Sequence, residues 1–315
     1  RFTDVTAEVA PDLARASGMI TDATWIDFDG DGRQDLVTVG EWMPIQFYRN
    51  DGTQLRNVTQ SMRLPPMRGW WYSLAAGDFD HDGRPDLVVG NLGLNYAYQT
   101  SMESRFGVYA AAFTGNRNAD IVLTQEIKGI EYPYAGLASL GREIYSLGVR
   151  FPTFGSFAKA SVAEAFGASA LQGALHYQAD TFASVYLHNE GGTGFSVVAL
   201  PNLAQIAPIK SIVAHDVDGD GHLDVILAGN MFDVEPNTPR ADAGNGLWLR
   251  GDGKGRFIAV PPTESGLLAP LDVSGLAMIR TATGTALLVA NTGDSLQSFS
   301  IRPRQHGTGA SAPVP

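Results

Sequence analysis

The chain has 315 residues, 44% of them hydrophobic and only 17% charged, with 36 glycines and a formal net charge of −11. Such apolar content excludes general disorder, and the length suits one large all-β domain or two ordinary ones. No Lys/Arg cluster is present for nucleic-acid phosphates, no run of about 18 apolar residues for a bilayer, and no cysteine for disulfides, zinc-thiolate sites or thiol nucleophiles.

Taken in chain order, Phe2-Thr3-Asp4-Val5-Thr6 resembles a later segment, Leu55-Arg56-Asn57-Val58-Thr59, and is read as a strand. Between them lies a unit of four strands. A strand at 23–26 leads into Asp27-x-Asp29-x-Asp31-Gly32-x-x-Asp35, and the apolar run 36–40 follows. A third strand then ends in Tyr48-Arg49-Asn50-Asp51-Gly52, a hairpin signal because such turns need φ > 0. The fourth strand covers 55–59. A second unit repeats the pattern around Asp78-x-Asp80-x-Asp82-Gly83-x-x-Asp86, and a later one around Asp216-x-Asp218-x-Asp220-Gly221-x-x-Asp224. Between these two, the unit starting at 108 has lost its acids, its loop reading Ala112-x-Thr114-x-Asn116-Arg117-x-x-Asp120, and no tight metal is expected there. Its period is broken at about 138–171 by a helical insertion, in which Ser161 and Glu164 form a capping box with Gly167 as the stop, and Leu140, Ile144 and Leu147 share a face. The last unit has Arg280-Thr281-Ala282-Thr283-Gly284 where the acids would be, and only three strands of its own.

Repeated four-stranded antiparallel units describe an all-β fold, a β-propeller. Five units are readable, at about 21–60, 71–106, 108–200, 209–260 and 273–303, forming one domain over 1–303 followed by a flexible tail at 304–315. The strand at 2–6 is expected to complete the last blade and close the ring, which would remove exposed edge strands.

Four carboxylates within nine residues repel one another unless a cation sits among them. Calcium takes six to eight oxygen ligands at flexible angles, so Asp27, Asp29, Asp31 and Asp35, with the carbonyl of Arg33, form one expected site. Asp78, Asp80, Asp82, Asp86 and the Arg84 carbonyl form a second, and Asp216, Asp218, Asp220, Asp224 and the His222 carbonyl a third. The glycine at the sixth position allows the sharp turn. An EF-hand would need a Glu at position 12 and flanking helices, whereas Thr38, Val89 and Leu227 stand there, inside apolar β-branched runs. Four acids and a carbonyl leave little open coordination, which points to a structural role for three calcium ions. Sites of the extracellular kind, with dissociation constants of about 10⁻⁴ to 10⁻³ M, fill outside the cytoplasm, so an extracytoplasmic home is expected. With Arg1 in first place and no signal peptide, the chain reads as a processed product or a segment of something longer.

This loop ahead of an apolar strand resembles the FG-GAP/VCBS repeat family, whose propellers include the integrin α-subunit head. Phe2-Thr3-Asp4-Val5-Thr6, the 25–42 segment, Gly90-Asn91-Leu92-Gly93-Leu94-Asn95 and Gly251-Asp252-Gly253-Lys254-Gly255 are similar to bacterial repeat proteins related to cartilage acidic protein. The resemblance covers about residues 1–303 and implies that the Asp side chains of the three loops are calcium ligands, that the protein is secreted, and that it binds. Two departures stand out: family propellers commonly have seven blades, and the ASPIC/UnbV domain that often follows such repeats is missing from this sequence.

Catalytic motifs are weak. Gly293-Asp294-Ser295-Leu296 spells an esterase block without a downstream Asp-x-x-His, and Ser156-Phe157-Ala158-Lys159 lacks the companion motifs of a Ser-x-x-Lys enzyme. A ligand face is read instead from Trp42, Trp70, Trp71, Tyr72 and Tyr96, and from Glu41, Asn91, Asn230 and Asn291, which each end the second strand of a unit. The loop at 231–246, with Asp233, Glu235, Arg240 and Asp242, is expected beside Asn230. The expected function is a calcium-stabilised, non-enzymatic binding, adhesion or assembly module, with a protein or glycan partner at a propeller face or a place in a larger surface assembly. A carbohydrate-active lyase or dehydratase on the same ring is the alternative.

Overall fold

The N-terminus folds as two short helices, α1 (Thr6–Val9) and α2 (Pro11–Ala16), in a computed structural model that describes residues 1–302 apart from 17, 117, 193 and 235–237. The Asp4 carboxylate accepts hydrogen bonds from the Thr6 amide (2.9 Å) and hydroxyl (2.7 Å), which starts α1 and keeps residues 2–5 out of any strand. The expected closure by an N-terminal strand is therefore corrected. Ala10 and Leu13 instead cover Leu36, Tyr48 and Leu55 on the outer side of the first sheet.

That sheet is a meander of β1 (Met19–Ile26), β2 (Asp35–Met43), β3 (Gln46–Asn50) and β4 (Leu55–Asn57), with the short β5 (Gly69–Trp70) added to β2. The second sheet starts with β6 (Ser73–Gly77) and β7 (Asp86–Gly90), and then the chain leaves it. The excursion holds β8 (Phe106–Ala111), β9 (Asp120–Ile127), β10 (Ile130–Pro133), five short helices from α3 (Leu137–Glu143) through α4 (Tyr145–Arg150), α5 (Phe154–Phe157) and α6 (Val162–Phe166) to α7 (Ala168–Gln172), and β11 (Leu175–Ala179). These strands make a separate sheet in the order β10-β9-β8-β11. The chain then returns, and β12 (Val185–Asn189) pairs with β7 while β13 (Phe195–Ala199) pairs with β12.

This corrects the reading of 71–106 and 108–200 as successive blades. One sheet is split around an inserted sheet-and-helix subdomain. The expected helices at 138–171 lie inside that insertion, with both hydrogen bonds of the Ser161/Glu164 capping box made and Leu140, Ile144 and Leu147 buried together.

The third sheet is again a meander, β14 (Ser211–His215), β15 (Asp224–Ala228), β16 (Leu247–Gly251) and β17 (Phe257–Val260). After the turn of α8 (Pro262–Ser265) comes a three-stranded sheet of β18 (Val273–Thr281), β19 (Gly284–Asn291) and β20 (Gln297–Ile301). The tail expected at 304–315 lies outside the described residues.

The sheets pack face to face in succession. Val37, Val39 and Phe47 of the first meet Leu87, Val89 and Leu187 of the second. Val88 and Tyr186 on its other face meet Val225, Leu227 and Leu249 of the third, and Ile226 and Ala228 of the third meet Leu287 and Val289 of the fourth. Central strands such as β7 and β15 are buried on both faces, which is why they read as unbroken apolar runs. Apart from the insertion and the short helices α1, α2 and α8, the result is all-β and propeller-like, without sheet-to-sheet closure of the last onto the first among the described residues.

Candidate metal centres

Each acidic loop joins the first strand of a sheet to its second, and the three are built alike. The first carboxylate folds the loop around itself: Asp27 accepts from the amides of Gly30 (2.8 Å), Asp31 (3.1 Å) and Gly32 (2.8 Å). Asp78 accepts from Asp82 and Gly83, and Asp216 from Gly219 and Gly221. The sixth-position glycines Gly32, Gly83 and Gly221 have φ of 86°, 85° and 90°, as the turn requires.

The carboxylates converge. One oxygen each from Asp27, Asp29 and Asp31 lie within 4.8 Å of one another, as do those of Asp78, Asp80 and Asp82 and those of Asp216, Asp218 and Asp224. An all-oxygen anionic donor set suits a hard divalent cation such as calcium. The residues therefore fit the ion that the spacing implied.

Residues 27–89 match the family model of the FG-GAP-like repeat. No curated protein matches the chain. The matched stretch runs from the first aspartate of the first loop through the second loop into β7, so it contains two of the three acidic repeats. FG-GAP repeats occur in β-propeller modules, often extracellular ones. No helix among the described residues is long and apolar enough to cross a membrane.

The ninth-position aspartates of these repeats hold strands together. Asp35, Asp86 and Asp224 are fully buried. One oxygen of each accepts from the third strand, at Asn50 N (2.7 Å), Asn189 N (2.8 Å) and Gly251 N (2.9 Å), and the other from the second residue of the loop, Phe28, Phe79 or Val217. They stitch the loop to the third strand. Burial pushes all three carboxyls up, Asp35 to about 6 with help from Asp29 and Asp31. Of the three, Asp224 groups with Asp216 and Asp218 of its own loop, whereas Asp86 groups with Asp80 and His188.

Basic side chains that sequence reasoning passed over surround the loops. His188 Nδ1 is 3.3 Å from both Asp80 Oδ2 and Asp86 Oδ1, and Arg250 Nε is 2.9 Å from Asp218 Oδ2. Arg49 occupies the same place in β3 and shares a cavity of about 270 Å³ with Asp29. The signal was available, since a basic residue stands just before the last residue of each of these third strands. At position 7, Arg33 and Arg84 pair with Asp31 and Asp82 and donate to the carbonyls of Asn50 (2.8 Å) and Asn189 (2.9 Å). His222 differs, its ring meeting His81 of the second loop at 2.8 Å.

The opposite ends of the second strands carry the residues expected to form a ligand face. Asn91 and Asn230 are fully buried and structural, which corrects that expectation. Asn91 accepts from Trp70 N and Leu92 N and donates to the Thr181 and Ala183 carbonyls, while Asn230 donates to the carbonyls of Gly244, Pro270 and Leu271. Such amides satisfy backbone groups where strands end inside the protein. Trp71, wholly buried with its Nε1 donating to Met67 O (3.1 Å), and Tyr96 are likewise withdrawn from the surface.

Trp42 and Trp70 are half-buried and meet edge to face at 5.0 Å. Asp233 and Arg240 are exposed, the Arg240 guanidinium 5.5 Å above the Phe232 ring, and Glu235 lies outside the described residues. Loop residues Met231 and Ala241 pack into the cluster that holds Trp42, Trp70, Tyr72 and Tyr96. The weak catalytic motifs hold local backbone contacts: in α5, Ser156 Oγ donates to Thr153 O (2.7 Å), and the Ser295 carbonyl accepts from Asn291 in the β19–β20 connection.

Proposed function

We propose that this chain is a calcium-stabilised binding module of the extracytoplasmic space, in which three ions fasten each acidic loop to its sheet and the rigid scaffold presents a recognition face. The observation that carries the reading is the threefold recurrence of converging carboxylates at one end of the sheets, each set tied through a buried aspartate to its third strand. A divalent ion there would offset the mutual repulsion of the acids and lock loop to sheet. Asp27, Asp29 and Asp31, Asp78, Asp80 and Asp82, and Asp216, Asp218, Asp220 and Asp224 would hold it, joined by the carbonyls of Arg33, Arg84 and His222 as the loop spacing suggests. Asp35 and Asp86 would hold it while keeping their strand contacts.

Isothermal titration of chelator-treated protein with calcium, followed by thermal melts, tests the reading. Binding near three equivalents with a rise in melting temperature is expected. A titration showing no uptake at millimolar calcium refutes it.

A further inference from the structure

Glu41 ends the well-buried part of β2, at the opposite end of the strand from the first acidic loop. It is half-buried, and among the described residues its carboxylate has no hydrogen-bond or ion-pair partner; burial is the one influence on that carboxyl, pushing it up. Buried carboxylates are ordinarily paired. Here the neighbours are aromatic. Glu41 stands opposite Trp70 in the β2–β5 ladder, and the register shifts between Glu41 and Met43.

Trp42 is the residue at that shift, with φ of 61°, in a region that a bulky side chain rarely adopts. Bulges re-aim side chains. This one sets the Trp42 ring against Trp70 and stacks it on Phe106 at 6.0 Å with 13° between planes. The Tyr72 phenol, largely buried in the same cluster, is pushed up first by burial and then by the charge of Glu41, which places it within electrostatic reach.

We propose that Glu41, Trp42, Trp70 and Tyr72 form a recognition site for an organic cation, an ammonium or guanidinium group. A carboxylate in the neighbourhood of indole and phenol rings attracts such a cation twice, through the charge and through the ring quadrupoles. A hard metal ion is the wrong guest, because it requires several oxygen ligands and this place offers one carboxylate. A sugar hydroxyl would want donors as well as an acceptor. Trp70 Nε1 and Tyr96 Oη, two unpartnered donors of the cluster, are shut off from the surface and so are not available to a sugar hydroxyl. The cation comes either as a free small molecule or as a Lys or Arg side chain of a partner protein.

This inference rests on the binding-module reading, and the calcium titration tests that reading separately. With calcium saturating, tryptophan fluorescence and indole NMR signals are followed against N-acetyl-arginine amide, N-acetyl-lysine amide, a Lys/Ser hexapeptide, an all-Ser hexapeptide and maltohexaose. The cationic probes are expected to bind and the neutral ones not. Glu41→Gln is expected to weaken cation binding by roughly ten-fold or more while its melting temperature stays level or rises, since an uncompensated charge has been removed. Peptide binding much tighter than the amides identifies a protein partner, and equal binding a free small molecule. Failure of both cations to bind, unchanged affinity in Glu41→Gln, preference for maltohexaose, or a lowered melting temperature in Glu41→Gln each overturns the site, and does so without touching the calcium reading if calcium still raises the melting temperature.

Discussion

Replacing Asp35 by Asn separates the strand contacts of that side chain from the ion binding proposed for it. In the ion-free protein the buried carboxyl is raised to about 6 from an ordinary 3.8, so holding it ionised at pH 7.5 costs the fold about 3 kcal/mol. Asn removes that cost. It also turns one acceptor into a donor facing a backbone amide, at Asn50 or Phe28, a loss of about 1–3 kcal/mol. The two effects nearly cancel, so in EGTA the variant should melt within a few degrees of the wild type. Calcium changes the comparison, because a site filled at a hundred times its dissociation constant contributes about 2.7 kcal/mol. The variant, lacking one acid of the first loop, should forfeit much of that share and melt several degrees below wild type in calcium. Circular dichroism melts of both proteins in EGTA and in 5 mM-scale calcium make the measurement. An equal drop in both buffers would refute the reasoning, since it would make Asp35 purely a strand tie.

Ion-free wild type should grow more stable as pH falls from 7.5 towards 5. The folded carboxyl of Asp35 sits above its unfolded value, so its contribution is complete below the unfolded value and is lost as pH rises through about 6; melts in EGTA across that window check the sign, and saturating calcium should flatten the slope. Asp180→Ala should destabilise by about 3–5 kcal/mol in urea titrations, because it leaves Arg68 (2.9 Å) and Arg105 (3.1 Å) without their buried carboxylate where the insertion meets the sheets. Although burial opposes it, these arginines hold the Asp180 carboxyl below its ordinary value, so this share of stability is present above the unfolded value and is lost as pH falls through the folded one. Asn189→Ala should cost about 2–4 kcal/mol by the same assay, since its Nδ2 donates to Phe28 O (3.0 Å) of the first sheet and Pro85 O (3.1 Å) of the second.

The acidic loops were legible in the sequence because their chemistry is local. Nine consecutive residues contain the carboxylates, the glycine that turns the chain and the apolar strand that follows, and the structure brings carboxylates of each loop together without help from distant segments. The capping box at Ser161 was legible for the same reason. The ligand face was not. Asn91 and Asn230 look like exposed strand-end amides until the carbonyls of Thr181 and Pro270, far along the chain, are seen to need them.

What the order of residues determined by itself was everything with a short period: strands, hairpin turns, acidic loops and the repeat that strings them together. Tertiary structure alone decided which strands pair. The apolar run of β7 is content with any partner of matching length, and it takes β12, with the whole inserted subdomain between them, over the nearer β8. The N-terminal segment likewise had two outcomes, a strand by its likeness to 55–59 or a helix by the Asp4 hydrogen bonds, and packing of Ala10 and Leu13 against the first sheet goes with the helix. Local propensity sets the menu of elements; burial of their faces against distant ones makes the choice, and no short stretch of sequence carries that energy.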